Sequence, residues 1–197
     1  MAEASIPTLV TVADVLGADL AVRLYPNSGP RIHDRLQAPM VEALVRDVHP
    51  SWKRLVEVPV WRPVRGVIDL VLVRPGEVVV ATEVHSQISR AEQQIRWGAE
   101  KAASLPSSEL WSMQSGGLAD MPISRLLVVR NSAANREVVR ALEGTFRAVY
   151  PARTVDALAA LRGQTAAWPG PALVWADVRV GSVRILDGPP RGVGLGR

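Results

Sequence analysis

The sequence predicts an α/β fold, a single two-layer or three-layer sandwich around a mixed central sheet. Three observations carry that expectation. Residues 54–61, 66–73 and 77–87 are valine-rich runs joined by short connections containing Gly or Pro. From Ser89 the apolar residues switch to helical spacing, and two further apolar runs, 124–131 and 171–178, are separated by amphipathic segments.

Taken in order, "DLAVRLYP" (19–26) alternates Leu20, Val22 and Leu24 against Arg23 and Tyr25, as a half-buried strand does. The Gly/Pro-rich stretch 25–31 predicts a loop, followed by a turn of helix in 32–36. A helix should begin near Pro39 and run through "PMVEALVRDV", with Glu42 one turn from Arg46. The next three runs read as strands joined in antiparallel hairpins, because a parallel crossover needs about a dozen residues or more. Ala91, Ile95, Gly98, Ala102 and Leu105 then form an apolar helical stripe that Pro106 ends. "SRLLVVRN" reads as a buried strand, "NREVVRALEGTFRAVY" as one amphipathic helix capped by Asn131 or Asn135, "TVDALAAL" as a short helix and "PALVWADV" as a last strand. Residues 1–30 are expected to add a strand and loop to a domain spanning 31–180, with 181–197 a C-terminal tail, frayed over its Gly/Pro-rich stretch 188–197.

The 197 residues suit one domain. No apolar run approaches the roughly 18 residues of a membrane helix, and the N-terminus lacks a signal pattern, so the expectation is a cytoplasmic protein without membrane contact. The absence of cysteine excludes disulfides, thiolate metal sites and cysteine nucleophiles. The formal charge is +4, and Lys53 and Lys101 are the only lysines. An arginine-rich surface suits phosphate, because the guanidinium fork matches its oxygens; genomic base composition explains the same bias without any ligand. "SGG" at 115–117 lacks the context of a phosphate loop, and no nucleophile elbow is present.

Asp69 and Glu83 stand in the middle of valine-rich strands. An unpaired buried carboxylate costs several kcal/mol, so each needs a cation, a metal or a proton. Mg²⁺ is typically held by one or two carboxylates with waters and substrate phosphate, and can activate water for attack on a phosphodiester. The alternative is a structural ion pair of Asp69 with Arg62, Arg65 or Arg96.

Glu42 on a helix, Asp69 in "GVIDLVLV", Glu83-Val84-His85 in "ATEVHSQ" and a following helix with "QQIRW" resemble the PD-(D/E)xK nuclease superfamily. The resemblance implies a restriction-endonuclease-like αβββαβ core over roughly residues 31–130, with Asp69 and Glu83 as ligands of a catalytic Mg²⁺, Glu42 as the assisting helix acid, and His85 in the lysine position. Gln93 or Gln94 and Arg96 stand where some members carry a supporting polar residue. With "VLGADLAVRLYPNSGPRIHDRLQAPMVEAL", "EVHS" and "LLVVRNSAANREVVRAL", the chain also resembles the C-terminal module of bacterial Xre-type helix-turn-helix regulators, modules that often lack a complete catalytic set.

Two functional expectations follow. One is a non-catalytic nuclease-fold module associated with DNA or transcriptional regulation. The other is an active Mg²⁺-dependent DNA endonuclease in which His85 orients or deprotonates the water. In either, Arg90, Gln94, Arg96 and Lys101 on the helix after the third strand are the candidate nucleic-acid contacts, with Lys101 an alternative source of the lysine that His85 replaces; a solvated basic face is the plainer reading of that surface. A homodimer and a separate DNA-binding partner are the expected assemblies. His33 and His49 lie beside loops without ligand spacing and are expected to be structural.

Overall fold

A computed structural model describes residues 6–15, 36–113, 118, 120–165 and 167–194. The chain divides into residues 1–32 and residues 33–197. In the first unit the described residues form one helix, α1 (Ile6–Val15), which the sequence pattern did not announce. The expected strand at 19–26, the turn at 32–35, His33 and the segment 115–117 lie outside the described residues.

The second unit opens with α2 (Gln37–Asp47), so Pro39 sits inside the first helical turn, where its missing N–H costs nothing. Strands β1 (Lys53–Val60), β2 (Gly66–Arg74) and β3 (Val78–His85) follow as two antiparallel hairpins, as their short connections require. Helix α3 (Ala91–Ala103) buries Ala91, Gly98 and Ala102 of the expected stripe, and a 3-10 turn over Leu105–Ser107 ends it at Pro106. After α4 (Glu109–Met113) comes β4 (Ile123–Arg130), which returns parallel to β3.

The single helix expected after β4 is two: α5 (Ala133–Ala141) and α6 (Glu143–Val149), broken at Leu142. Its cap is Ser132, whose hydroxyl accepts from the Asn135 N–H; neither asparagine serves as the cap. Asn135 is instead buried, accepting from Ile88 N–H at 2.9 Å and donating to Ser86 and Arg130 carbonyls, and so pins the loop after β3. Then come α7 (Thr154–Leu161), β5 (Ala172–Arg179), parallel to β4, and β6 (Ser182–Ile185). The expected tail is therefore a sheet edge: β6 pairs antiparallel with β5, and both Ile185 and Val193 are buried.

The result is an α/β fold on one six-stranded mixed sheet of order β1-β2-β3-β4-β5-β6. Side-chain alternation gives the sheet two apolar faces. Leu70, Leu72, Val80, Val84, Leu126, Val128 and Val174 pack with Met40, Ala43 and Leu44 of α2 and Leu158 and Leu161 of α7. The opposite face packs Val71, Val73, Val79 and Ala81 against Ala102 of α3 and Leu105, and Leu127, Val129 and Trp175 against Val139 of α5 and Phe146 of α6. The unit is thus a three-layer sandwich. Among the described residues no helix is long and apolar enough to cross a membrane.

Candidate functional site

Asp69 and Glu83 occupy neighbouring antiparallel strands one level beyond the last ladder pair, Leu70 with Thr82. Asp69 extends that ladder with its side chain: Oδ2 accepts the Val84 N–H at 2.8 Å. The hydrogen bond and the charge of Lys101 favour the anion, yet burial outweighs both and holds the Asp69 carboxyl above its usual range. Glu83 is 9% exposed, and Gly98 of α3 lies over it; a Cβ at Gly98 would stand 3.5 Å from the Glu83 Cγ.

The decisive contact comes from α3. Lys101 Nζ bonds Glu83 Oε2 and also donates to the Val67 carbonyl at 3.0 Å. The Lys101 and Glu83 side chains are only 13% and 11% exposed, so this is a buried pair and not a surface one. The expectation of a solvated helix face fails at this residue. Lys101 lies on that face, but its stem runs inward across Gly66, where a Cβ would approach the Lys101 Cδ to 2.9 Å. Even with Lys101 against it, burial pushes the Glu83 carboxyl up to about 7, with the charge of Asp69 adding to the rise.

His85 follows on β3, and its Nδ1 faces Gln94 Nε2 at 3.3 Å. Because an amide nitrogen only donates, Nδ1 is the acceptor and the ring proton sits on Nε2. Burial and the Lys101 charge push His85 down to about 4, so it is neutral at pH 7 and cannot replace a lysine cation. Gln94 also donates to the Gln87 carbonyl at 3.3 Å and accepts from Arg90 N–H at 3.3 Å, which engages it inside the protein.

The other expected residues lie apart from this cluster. Glu42 is exposed on α2, whose buried residues pack on the opposite sheet face from α3, so the fold does not bring it to Asp69 and Glu83. Arg96 pairs with Glu100 at 3.9 Å, and Arg65 stacks on Trp61 with its guanidinium carbon 4.9 Å from the ring centre; neither they nor Arg62 forms an ion pair with Asp69 among the described residues. His49 is exposed, its Nδ1 2.9 Å from the Ser51 hydroxyl.

Two further features lie beside the cluster. Glu57 of β1 adopts a left-handed backbone, with φ of 52°, and the β1–β2 ladder passes from Val56–Leu70 to Val58–Ile68 without a Glu57–Asp69 pair. Leu55 and Val58 pack in one cluster, as do Ile68 and Val71, so strict alternation breaks on both strands at the level of Asp69. The Glu57 charge also opposes ionisation of Asp69. The second feature is a surface groove of about 240 Å³ lined by Arg65, Gln93, Arg96, Trp97 and Glu100, in which Trp97 is half exposed. Trp97 Nε1 stands 3.9 Å from the Cβ position of Gly66, next to the Lys101 stem.

Mg²⁺ prefers near-octahedral oxygen ligands, usually one or two carboxylates with waters. Here Lys101 holds Glu83 Oε2, Glu83 Oε1 is buried, and Val84 N–H holds Asp69 Oδ2. Among the described residues no group of three His, Asp or Glu side chains converges as a metal site. With these contacts in place Glu83 is closed to a metal ion. No family model, curated protein or solved structure matches the chain.

Proposed function

We propose that the chain is a nuclease-fold module that associates with DNA without cutting it. The order α2, β1, β2, β3, α3, β4, with the three strands antiparallel and β4 parallel to β3, supports a restriction-endonuclease-like αβββαβ core. The observation that carries the non-catalytic reading is the closure of Glu83. One of its oxygens is held by Lys101 and the other is buried, so the acid faces an internal cation where a metal ligand would face solvent.

The DNA half of the reading rests on the groove beside Lys101. Arg65 and Arg96 supply phosphate-binding charge, and the exposed Trp97 face offers a stacking surface. Such binding is driven by counterion release and falls steeply with salt. Fluorescence anisotropy of a labelled duplex, titrated at low and moderate salt, tests it. Arg65→Ala and Arg96→Ala should each weaken binding and flatten the salt slope by about one charge. Affinity that does not change with salt would overturn the reading.

One observation favours a second reading, an active Mg²⁺-dependent endonuclease: Lys101 places an ammonium beside Asp69 and Glu83, completing an acid, acid and lysine set from the helix instead of the strand. Cleavage of DNA that requires Mg²⁺ and is lost in Asp69→Asn would establish it.

A further inference from the structure

Behind the acid–lysine pair lies a small cavity between β3, α3, α6 and β4. Its polar lining is Glu83, His85, Gln94 and Tyr150; Ala91, Leu127 and Phe146 are among its apolar walls. Glu83 Oε1 is fully buried and has no hydrogen-bond partner within the protein, although its twin oxygen is held by Lys101. A carboxylate oxygen left this way costs about 1–3 kcal/mol or more, so native structures rarely leave one unsatisfied.

The cavity offers about 10 Å³ of room for the centre of a water-sized sphere, about the least that holds one water. The groups around it match a water. His85 Nδ1 is taken by Gln94, which leaves its Nε2–H as a donor. Tyr150 is buried, lines the same cavity as Glu83, and lies with its ring under Arg125. Two donors and one carboxylate acceptor supply the two to four partners that a buried water needs. The same donors disfavour a cation, and the carboxylate disfavours an anion.

We propose that the cavity holds one ordered water linking Glu83 Oε1 to His85 and Tyr150, and that Tyr150 is through it a positioning residue for the Glu83–Lys101 pair. Glu83 is then gripped from both sides, by an ammonium on one oxygen and a water on the other. The inference stands whether or not the chain cuts DNA.

Tyr150→Phe tests it, because the variant keeps the ring and removes only the hydroxyl. Three readouts apply to the purified full chain: electron density at high resolution, water cross-relaxation peaks to the Tyr150 and His85 side chains, and the ammonium signal of ¹⁵N-lysine. With only Lys53 and Lys101 in the chain, that last spectrum carries two candidates to assign. The wild type should show the water, and Tyr150→Phe should lose its cross-peaks, move the Lys101 signal and lower Tm by about 3–6 °C. A wild-type cavity without density or cross-peaks would overturn the proposal. So would a Tyr150→Phe protein whose Tm and Lys101 signal match the wild type, which would make Tyr150 packing alone.

Discussion

Replacing Lys101 by Met keeps the stem that crosses Gly66 and removes the charge, so it isolates what the cation does. Two contacts go: the ion pair with Glu83 and the hydrogen bond to the Val67 carbonyl. The loss should depend on pH, because Glu83 can escape a missing cation by taking a proton. Its carboxyl sits at about 7 with Lys101 in place, and without Lys101 it must sit higher. Near pH 6 Glu83 is largely protonated in both proteins, and the variant loses chiefly the Val67 bond, about 1 kcal/mol. Near pH 8.5 the wild type holds the ionised pair, whereas the variant must protonate Glu83 against about one and a half pH units, which adds about 2 kcal/mol at 1.36 kcal/mol per unit. Thermal unfolding followed by calorimetry should therefore show a Tm deficit that grows by about 4–8 °C between the two pH values. In a Glu83→Gln background the pH dependence of the Lys101→Met effect should vanish. A loss below about 0.5 kcal/mol and equal at both pH values would refute the buried pair, since that is how a solvated lysine behaves.

Other predictions follow from the same cluster. Gly66→Ala places a Cβ 2.9 Å from the Lys101 Cδ and should reproduce part of the Lys101→Met phenotype, whereas Gly98→Ala, with 3.5 Å to Glu83 Cγ, should be neutral or gain up to about 1 kcal/mol of helix propensity; chemical denaturation of the two variants side by side checks both. Glu57→Gly should stabilise the fold by about 1 kcal/mol, because the left-handed φ of 52° is strained for glutamate and free for glycine; in an ordinary strand the same change would cost about 0.5–1 kcal/mol. Glu83 and His85 should oppose each other in the pH profile. The Glu83 pKa is raised from 4.5 to about 7, so its stabilising contribution is present below 4.5 and lost as pH rises through 7; the His85 pKa is lowered from 6.5 to about 4, so its contribution is present above 6.5 and lost as pH falls toward 4. Glu83→Gln should leave the histidine opposed only by Asp69, with Tm falling more steeply on acidification between pH 6.5 and 4 than in the wild type.

The hairpins and α3 were legible because their patterns are long and local: alternating or continuous valines, then a stripe at helical spacing. Edges and breaks were not. Four residues of β6 beside a Gly/Pro-rich segment carry too little periodicity to stand out, and the break at Leu142 is marked only by Gly144, which lies inside the next helix. At the site, Asp69 and Glu83 were visible as acids among valines and Lys101 as a lysine able to reach them, but where its ammonium ends was hidden by the geometry of a long side chain. A helical wheel places the Lys101 backbone on the polar face, while its ammonium lies at the end of a stem that Gly66 lets fold inward. The readable hint was Gly66 at the head of β2 together with a chain that uses lysine only twice. Glu57 had no hint, since its left-handed backbone answers to the break in alternation shared by two strands.

Calorimetric titration of Mg²⁺ into the purified chain, beside Asp69→Ala, tests the closed acid–lysine pair most directly. The closed pair predicts no saturable heat in either protein. Saturable binding in the wild type that Asp69→Ala abolishes would contradict it, and would mean that Glu83 leaves Lys101 to hold a metal.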